Sequence, residues 1–100
     1  METFDLSELR IAQDGWSAAL AFASAKLTVV SDSGVRLWYI DAEGIAQTDV
    51  LERFLESENI RVELAAVTAG GRRFEGVGYF HPTPAHRAAA IRGDDVLRGY

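Results

Sequence analysis

Residues Ile60–Gly93, IRVELAAVTAGGRRFEGVGYFHPTPAHRAAAIRG, decide the fold. In Arg61–Thr68, Val62, Leu64 and Ala66 fall on one face of an extended chain and Arg61 and Glu63 on the other. That is the period-2 pattern of a half-buried strand. Gly70-Gly71 supplies the dihedral freedom of a tight hairpin turn. Arg73–Phe80 returns as a second strand rich in aromatic and β-branched residues. Gly76 and Gly78 share a face with Phe74 and Phe80, which predicts a bend, a bulge or a close approach of another backbone. Pro82 and Pro84 are expected to end the pairing, because neither donates to a ladder. Arg87–Arg92 then reads as a third strand, Gly93-Asp94-Asp95 as a turn, and Val96–Tyr100 as a final strand.

Upstream of this meander, a short strand is expected over Leu9–Gln13, and Asp14-Gly15 is a strong two-residue hairpin signal. Trp16–Val30 reads two ways. As a strand it lines up Trp16, Ala18, Leu20 and Phe22; as a helix it lines up Trp16, Ala19, Leu20 and Ala23. The turn before it and the β-rich Leu27–Val30 at its end favour strand, either bent or broken near Ser24. Ser31–Gly34 is a turn by composition. Val35–Ile40 is a strand with large apolar groups on both faces, hence central or partnered on one face. After a connection opening at Asp41–Gly44, Thr48 or Asp49 is expected to cap a helix running to about Ser57. Asp49 and Glu52 sit at capping-box spacing, Val50, Leu51, Phe54 and Leu55 form the apolar stripe, and Asn59 reads as a left-handed stop. The pattern predicts a mainly β (α+β) domain over residues 1–100: an antiparallel barrel or small sandwich of about seven short strands, with one helix near residues 49–57.

Composition narrows the function classes. A chain of 100 residues with 48% hydrophobic residues can bury one core, with a stability on the order of 5–10 kcal/mol. There is no cysteine, so disulfides and thiolate chemistry are excluded. No run has the length of a membrane span, and METFDLSELR lacks the apolar stretch of a signal peptide, so a cytoplasmic location is the default expectation. The net charge of −5 argues against nucleic-acid binding through phosphate neutralisation. The charge is unevenly spread: residues 1–60 hold 4 basic and 11 acidic side chains, residues 61–100 hold 6 and 4. This fits either an electrostatic polarity suited to head-to-tail subunit contact or a codon bias toward arginine.

No motif for catalysis or a cofactor stands out. His81 and His86 flank Pro-Thr-Pro and can join Asp94 or Asp95 as metal ligands, but their spacing fits no defined site. Gly76-Val77-Gly78 lacks the helix that a dinucleotide fingerprint must open. Ser31 and Ser33 lack a nucleophile elbow. Trp38, Tyr39, Arg72, Arg73, Tyr79 and Phe80 form the candidate interaction surface, on strands whose edges a partner strand can extend. The expectation is a non-enzymatic interaction or assembly domain with a protein partner or itself. The alternative is a small-ligand barrel lined by Trp16, Trp38, Tyr79 and Phe80.

The run DVLERFLESENIRVELAAV…GRRFEGVGYFHPTP…AAAIRGDDVL, within Asp49–Leu97, resembles in rhythm the helix-then-strands segment of tailed-phage tail-tube proteins. There too a short helix precedes a strand, a glycine turn, an aromatic strand and a closing glycine–aspartate turn. This chain has Gly93-Asp94-Asp95 where those proteins flank the aspartate with glycines. The resemblance implies a structural subunit of a larger assembly.

Overall fold

The computed structural model describes residues 1–100. Seven strands and one helix follow in chain order: β1 (Glu2–Gln13), β2 (Trp16–Ala19), β3 (Ser24–Asp32), β4 (Val35–Glu43), α1 (Thr48–Glu56), β5 (Arg61–Thr68), β6 (Arg73–Thr83) and β7 (Ala88–Arg98). A single 3-10 turn, Pro84–His86, joins β6 to β7. The strands run β1-β3-β4-β7-β6-β5, and β5 returns to β1, so six antiparallel strands close into a barrel. The fourfold Trp16–Ala19 ladder adds β2 outside the closure, against Arg10–Gln13 of β1. Of the two expected architectures, the barrel is the one formed.

Local chemistry explains the hairpins. Asp14-Gly15 and Ser33-Gly34 both take positive φ at their two residues (46° and 78°; 51° and 80°). This is the mirror-image turn whose twist matches that of the flanking strands. Trp16–Val30 is strand, broken before Ser24.

Several boundaries differ from the sequence reading. β1 begins at Glu2 rather than Leu9, because a bulge lies between Leu6 and Glu8. There the Ser7 hydroxyl donates to the carbonyls of Val67 and Thr68. The bulge shifts the inward positions from Leu6 to Leu9 and Ile11, so one strand looks like two unrelated patterns. β4 continues through Asp41–Glu43 instead of opening a connection there. Pro82 lies inside the β6–β7 ladder, opposite Ala89. The Phe80 N–H donates to Ile60 O at 2.8 Å on the β5 side. The Pro82 nitrogen faces the same side two residues on, past the end of β5, where no donor is required. Gly93-Asp94-Asp95 does not turn the chain but lies within β7 as a bulge. Val77 pairs with Asp94 and Glu75 with Arg98, and Asp95 takes φ +65°.

α1 runs from β4 to β5 across one mouth of the barrel. Its cap is Gln47, not Thr48 or Asp49, and the Gln47 side chain does not cap. It bonds Ala19 O (2.7 Å) and the Ala21 N–H (2.9 Å), tying β2 down. Asn59 is not left-handed; the helix ends on Ser57 in extended conformation. Leu55, expected in the apolar stripe, is exposed, while Val50, Leu51 and Phe54 are buried. Phe54 stacks on Phe80 (4.8 Å between centroids) and meets Trp16 (5.8 Å). The barrel interior is filled by side chains, among them Leu9, Ile11, Leu27, Ile40, Val62, Phe74, Phe80 and Ile91.

Candidate functional site: the outer wall and the half-open seam

Strands from residues 1–60 and strands from residues 61–100 form two contiguous halves of the barrel wall, β1-β3-β4 and β7-β6-β5. The halves meet along two seams. At the β1–β5 seam, Leu6–Ala12 pairs with Thr68–Glu63. At the β4–β7 seam the ladder covers only Tyr39–Ala42 against Arg92–Ala89. Past Tyr39 the strands part. Val35–Trp38 of β4 keeps its β3 partners on one side and has no register partner on the other.

Trp38 sits in the resulting gap. Its indole lies against Gly76 and Gly93, where an added side-chain carbon would collide with the ring, and its Nε1–H donates to Asp95 O at 3.1 Å. The paired inward glycines anticipated in β6 are thus explained in part by a side chain, the Trp38 indole over Gly76. Gly78 lies against both the Ile91 side chain and the Arg92 carbonyl oxygen. A cleft of about 370 Å³ remains above the indole, lined by Val35, Leu37, Asp95 and Val96 among others.

The outer wall around this cleft carries most of the exposed large apolar side chains. Seven large hydrophobic residues of the molecule are exposed: Met1, Val35, Leu37, Tyr39, Leu55, Tyr79 and Val96. Five of them belong to the adjacent strands β4, β7 and β6. Tyr39 and Tyr79 flank Arg92, their common register partner. Both ion pairs of the molecule lie on or beside this wall, Arg61–Asp94 (3.4 Å) and Arg98–Glu75 (3.3 Å). They are solvent-exposed and so contribute little to stability. The strands β4, β6 and β7 carry Arg36, Arg73, Arg92 and Arg98 against Asp41, Glu43, Glu75, Asp94 and Asp95, a net of −1. Most of the net charge of −5 therefore lies elsewhere.

The six residues named for the interaction surface separate. Tyr39 and Tyr79 are on the wall, each 38% exposed. Trp38 and Phe80 are core, not surface, because they occupy inward positions of β4 and β6. Arg73 is exposed on β6 next to the β5–β6 turn. Arg72 clasps the C-terminus at the mouth opposite α1: its Nη2–H and Nε–H donate to Gly99 O (2.9 and 3.1 Å), and its guanidinium lies 4.8 Å from the Phe74 ring. Sequence reasoning missed Val35, Leu37 and Val96. The alternation in β4 held the signal for the first two, since Val35, Leu37 and Tyr39 share the face opposite Trp38 and Ile40.

The other candidate groupings are not assembled. Trp16 and Phe80 meet through Phe54 at the α1 mouth, Trp38 is at the other end, and Tyr79 points outward, so the four do not share a lumen. His81 is on β6 and His86 on the 3-10 turn, while Asp94 and Asp95 are in β7. No three His, Asp or Glu side chains come together to hold an ion. Ser33 bonds only its neighbour Asp32 in the turn. No helix is long and apolar enough to cross a membrane. Compared with protein-family models, curated proteins and solved structures, the chain matches none of them.

Proposed function

We propose that this barrel is an interaction or assembly module whose contact face is the outer wall of β4, β7 and β6. One observation carries the reading: the exposed apolar side chains Val35, Leu37, Tyr39, Tyr79 and Val96 gather on that wall, beside an unpaired stretch of strand. Contiguous exposed apolar surface marks contact sites in soluble proteins, and a free strand edge accepts a partner strand. Assembly into a larger array, as the tail-tube resemblance implies, is one form this reading takes.

The test is native mass by light scattering over a range of concentration and salt, with a photo-cross-linker at Val96 compared with one at Leu55 on α1. Association through the apolar wall persists in high salt, whereas association through the charge polarity of the two halves weakens. The expected result is association, or cross-linking to another protein, specific to Val96. A protein that stays at 10.9 kDa and gives no Val96-specific product overturns the proposal.

A further inference from the structure

We propose that a second cleft, between β1, β5 and the start of β6, binds a small organic monoanion: a carboxylate carried on a short apolar chain. It does not depend on the contact face. The cleft arises from a gap along β1. β3 pairs with Glu2–Asp5 and β2 with Arg10–Gln13, and between them Leu6–Leu9 is in register with β5 alone. Leu20 follows β2 into this gap, its N–H donating to Leu9 O at 2.8 Å. The hollow has a volume of about 290 Å³; Leu20, Ala65 and Val67 are part of its apolar lining, and its charged lining is Arg10, Arg73 and Glu8.

Register brings the two arginines to one place. Arg10 of β1 stands opposite Ala65 of β5, and Arg73 of β6 stands opposite Val67. Directly opposed residues share a face, so only an alanine and a valine lie between the two long side chains. Neither guanidinium has a partner within the molecule. Of the nine arginines, Arg61 and Arg98 are in ion pairs, Arg72 and Arg87 donate to carbonyls, and Arg36 and Arg53 lie over aromatic rings. Arg10, Arg73 and Arg92 do none of these, and two of those three line this one cleft.

The surroundings define the ligand. Guanidinium groups bind carboxylate oxygens through charge-assisted hydrogen bonds. Ser7 adds no donor, because its hydroxyl donates to Val67 O and Thr68 O. Glu75, opposite Ala65 on the same face, is held by Arg98 at 3.3 Å. Two guanidiniums against the Glu8 carboxylate leave one net positive charge, which matches a monoanion better than a phosphate dianion. The volume and the apolar lining suit a chain of a few carbons. The largest cleft, about 510 Å³, has no comparable pair: its Gln13 amide donates to Asn59 O and Arg61 O, and its Arg61 is paired with Asp94.

Hexanoate is the probe, followed in amide proton–nitrogen NMR spectra of the whole chain. Saturable shifts are expected at Ser7–Arg10, Leu20, Ala65–Val67 and Arg73. Combining Arg10→Gln with Arg73→Gln should weaken binding about tenfold. Arg92→Gln, which removes the third unpartnered guanidinium, should leave it unchanged, and Glu8→Gln should tighten it by removing a like charge. The same spectra report whether each variant is folded, so lost binding is separable from lost structure. Shifts that do not saturate, that lie elsewhere, or that survive the double substitution overturn the proposal. Equal binding of hexylammonium overturns the charge assignment, and equal binding of inorganic phosphate overturns the apolar chain.

Discussion

The two seams join the same two halves of the chain, yet they close differently. At β1–β5 the partners run side by side, the bulge at Ser7 is satisfied by its own hydroxyl, and Leu9 and Ile11 point inward without exposure. At β4–β7 the strands stay paired only as far as Tyr39 and Arg92. Beyond them, the bulge at Asp94–Asp95 turns β7 away, and an indole occupies the space where a ladder would continue. The comparison teaches that closing a barrel does not require every strand to be paired along its whole length. A large side chain inserted between two glycines fills the interior and leaves the backbone edge outside it free. One seam is paired over Leu6–Ala12, and the other leaves Val35–Trp38 without a register partner.

The largest effect expected from this contrast is in the closed seam. Ile11→Ala, at a fully buried position opposite Leu64, should cost about 2–5 kcal/mol. Leu37→Ala at the open seam should stay within about 0.5 kcal/mol of the wild-type monomer. Urea unfolding of the two variants at low protein concentration decides the matter; equal losses would mean that the seams do not differ as described.

A smaller effect sharpens the role of the indole. Gly93→Ala places a methyl group against the Trp38 ring, an overpacking expected to cost about 1–3 kcal/mol. If the collision is with Trp38 itself, combining Gly93→Ala with Trp38→Leu should cost less than the sum of the single changes. Strict additivity in a double-mutant cycle would break that account.

The smallest effect lies at the mouth, where the end of the chain bridges the open seam. Tyr100 follows β7, its hydroxyl donates to the Glu2 carboxylate of β1, and Arg36 of β4 lies 4.7 Å from its ring. That hydrogen bond, then burial and the Glu2 charge, raise the Tyr100 pKa above its ordinary value of 10.0, against the opposing Arg36 and Arg72 charges. A raised folded pKa means that the protonated phenol is favoured in the fold. Its contribution is full below the ordinary value and is lost as pH climbs through the raised one. A difference titration of tyrosinate absorbance against Tyr100→Phe should therefore place the midpoint above 10.0, and Glu2→Gln should lower it. An unmoved midpoint in Glu2→Gln would detach Tyr100 from Glu2.

Legibility followed the regularity of each segment. The β5–β6 hairpin was plain because Val62, Leu64 and Ala66 alternate without interruption and two glycines mark the turn. The Asp14-Gly15 hairpin was equally plain, since a two-residue turn with positive φ leaves a direct compositional mark. The length of β1 and the continuity of β7 were hidden for one reason. A bulge shifts which residues face inward, and a reading based on period 2 sees a strand end where the chain only changes step. In β7 the disguise was stronger, because Asp94-Asp95 after Gly93 has turn composition and Asp95 does take a left-handed φ, but inside a strand. The candidate surface was half legible. Tyr39 and Tyr79 were found by type, while Trp38 and Phe80 were drawn in by type and excluded by the direction of their side chains.

The amino-acid sequence by itself determined the strands, the one helix, the tight turns and the charge difference between the two parts of the chain. These are local properties, set by side-chain alternation, backbone dihedral preference and composition. Only the tertiary structure decided that the strands close into a barrel, that the two sequence halves become two halves of its wall, and that one seam stays half open. Those outcomes depend on which residues meet across the barrel: Trp38 over Gly76 and Gly93, Gln47 on the backbone around β2, Tyr100 on Glu2. No local pattern encodes a meeting between residues 38 and 93. It is fixed by the twist and register of six strands together, and the exposed edge of Val35–Trp38 is its consequence.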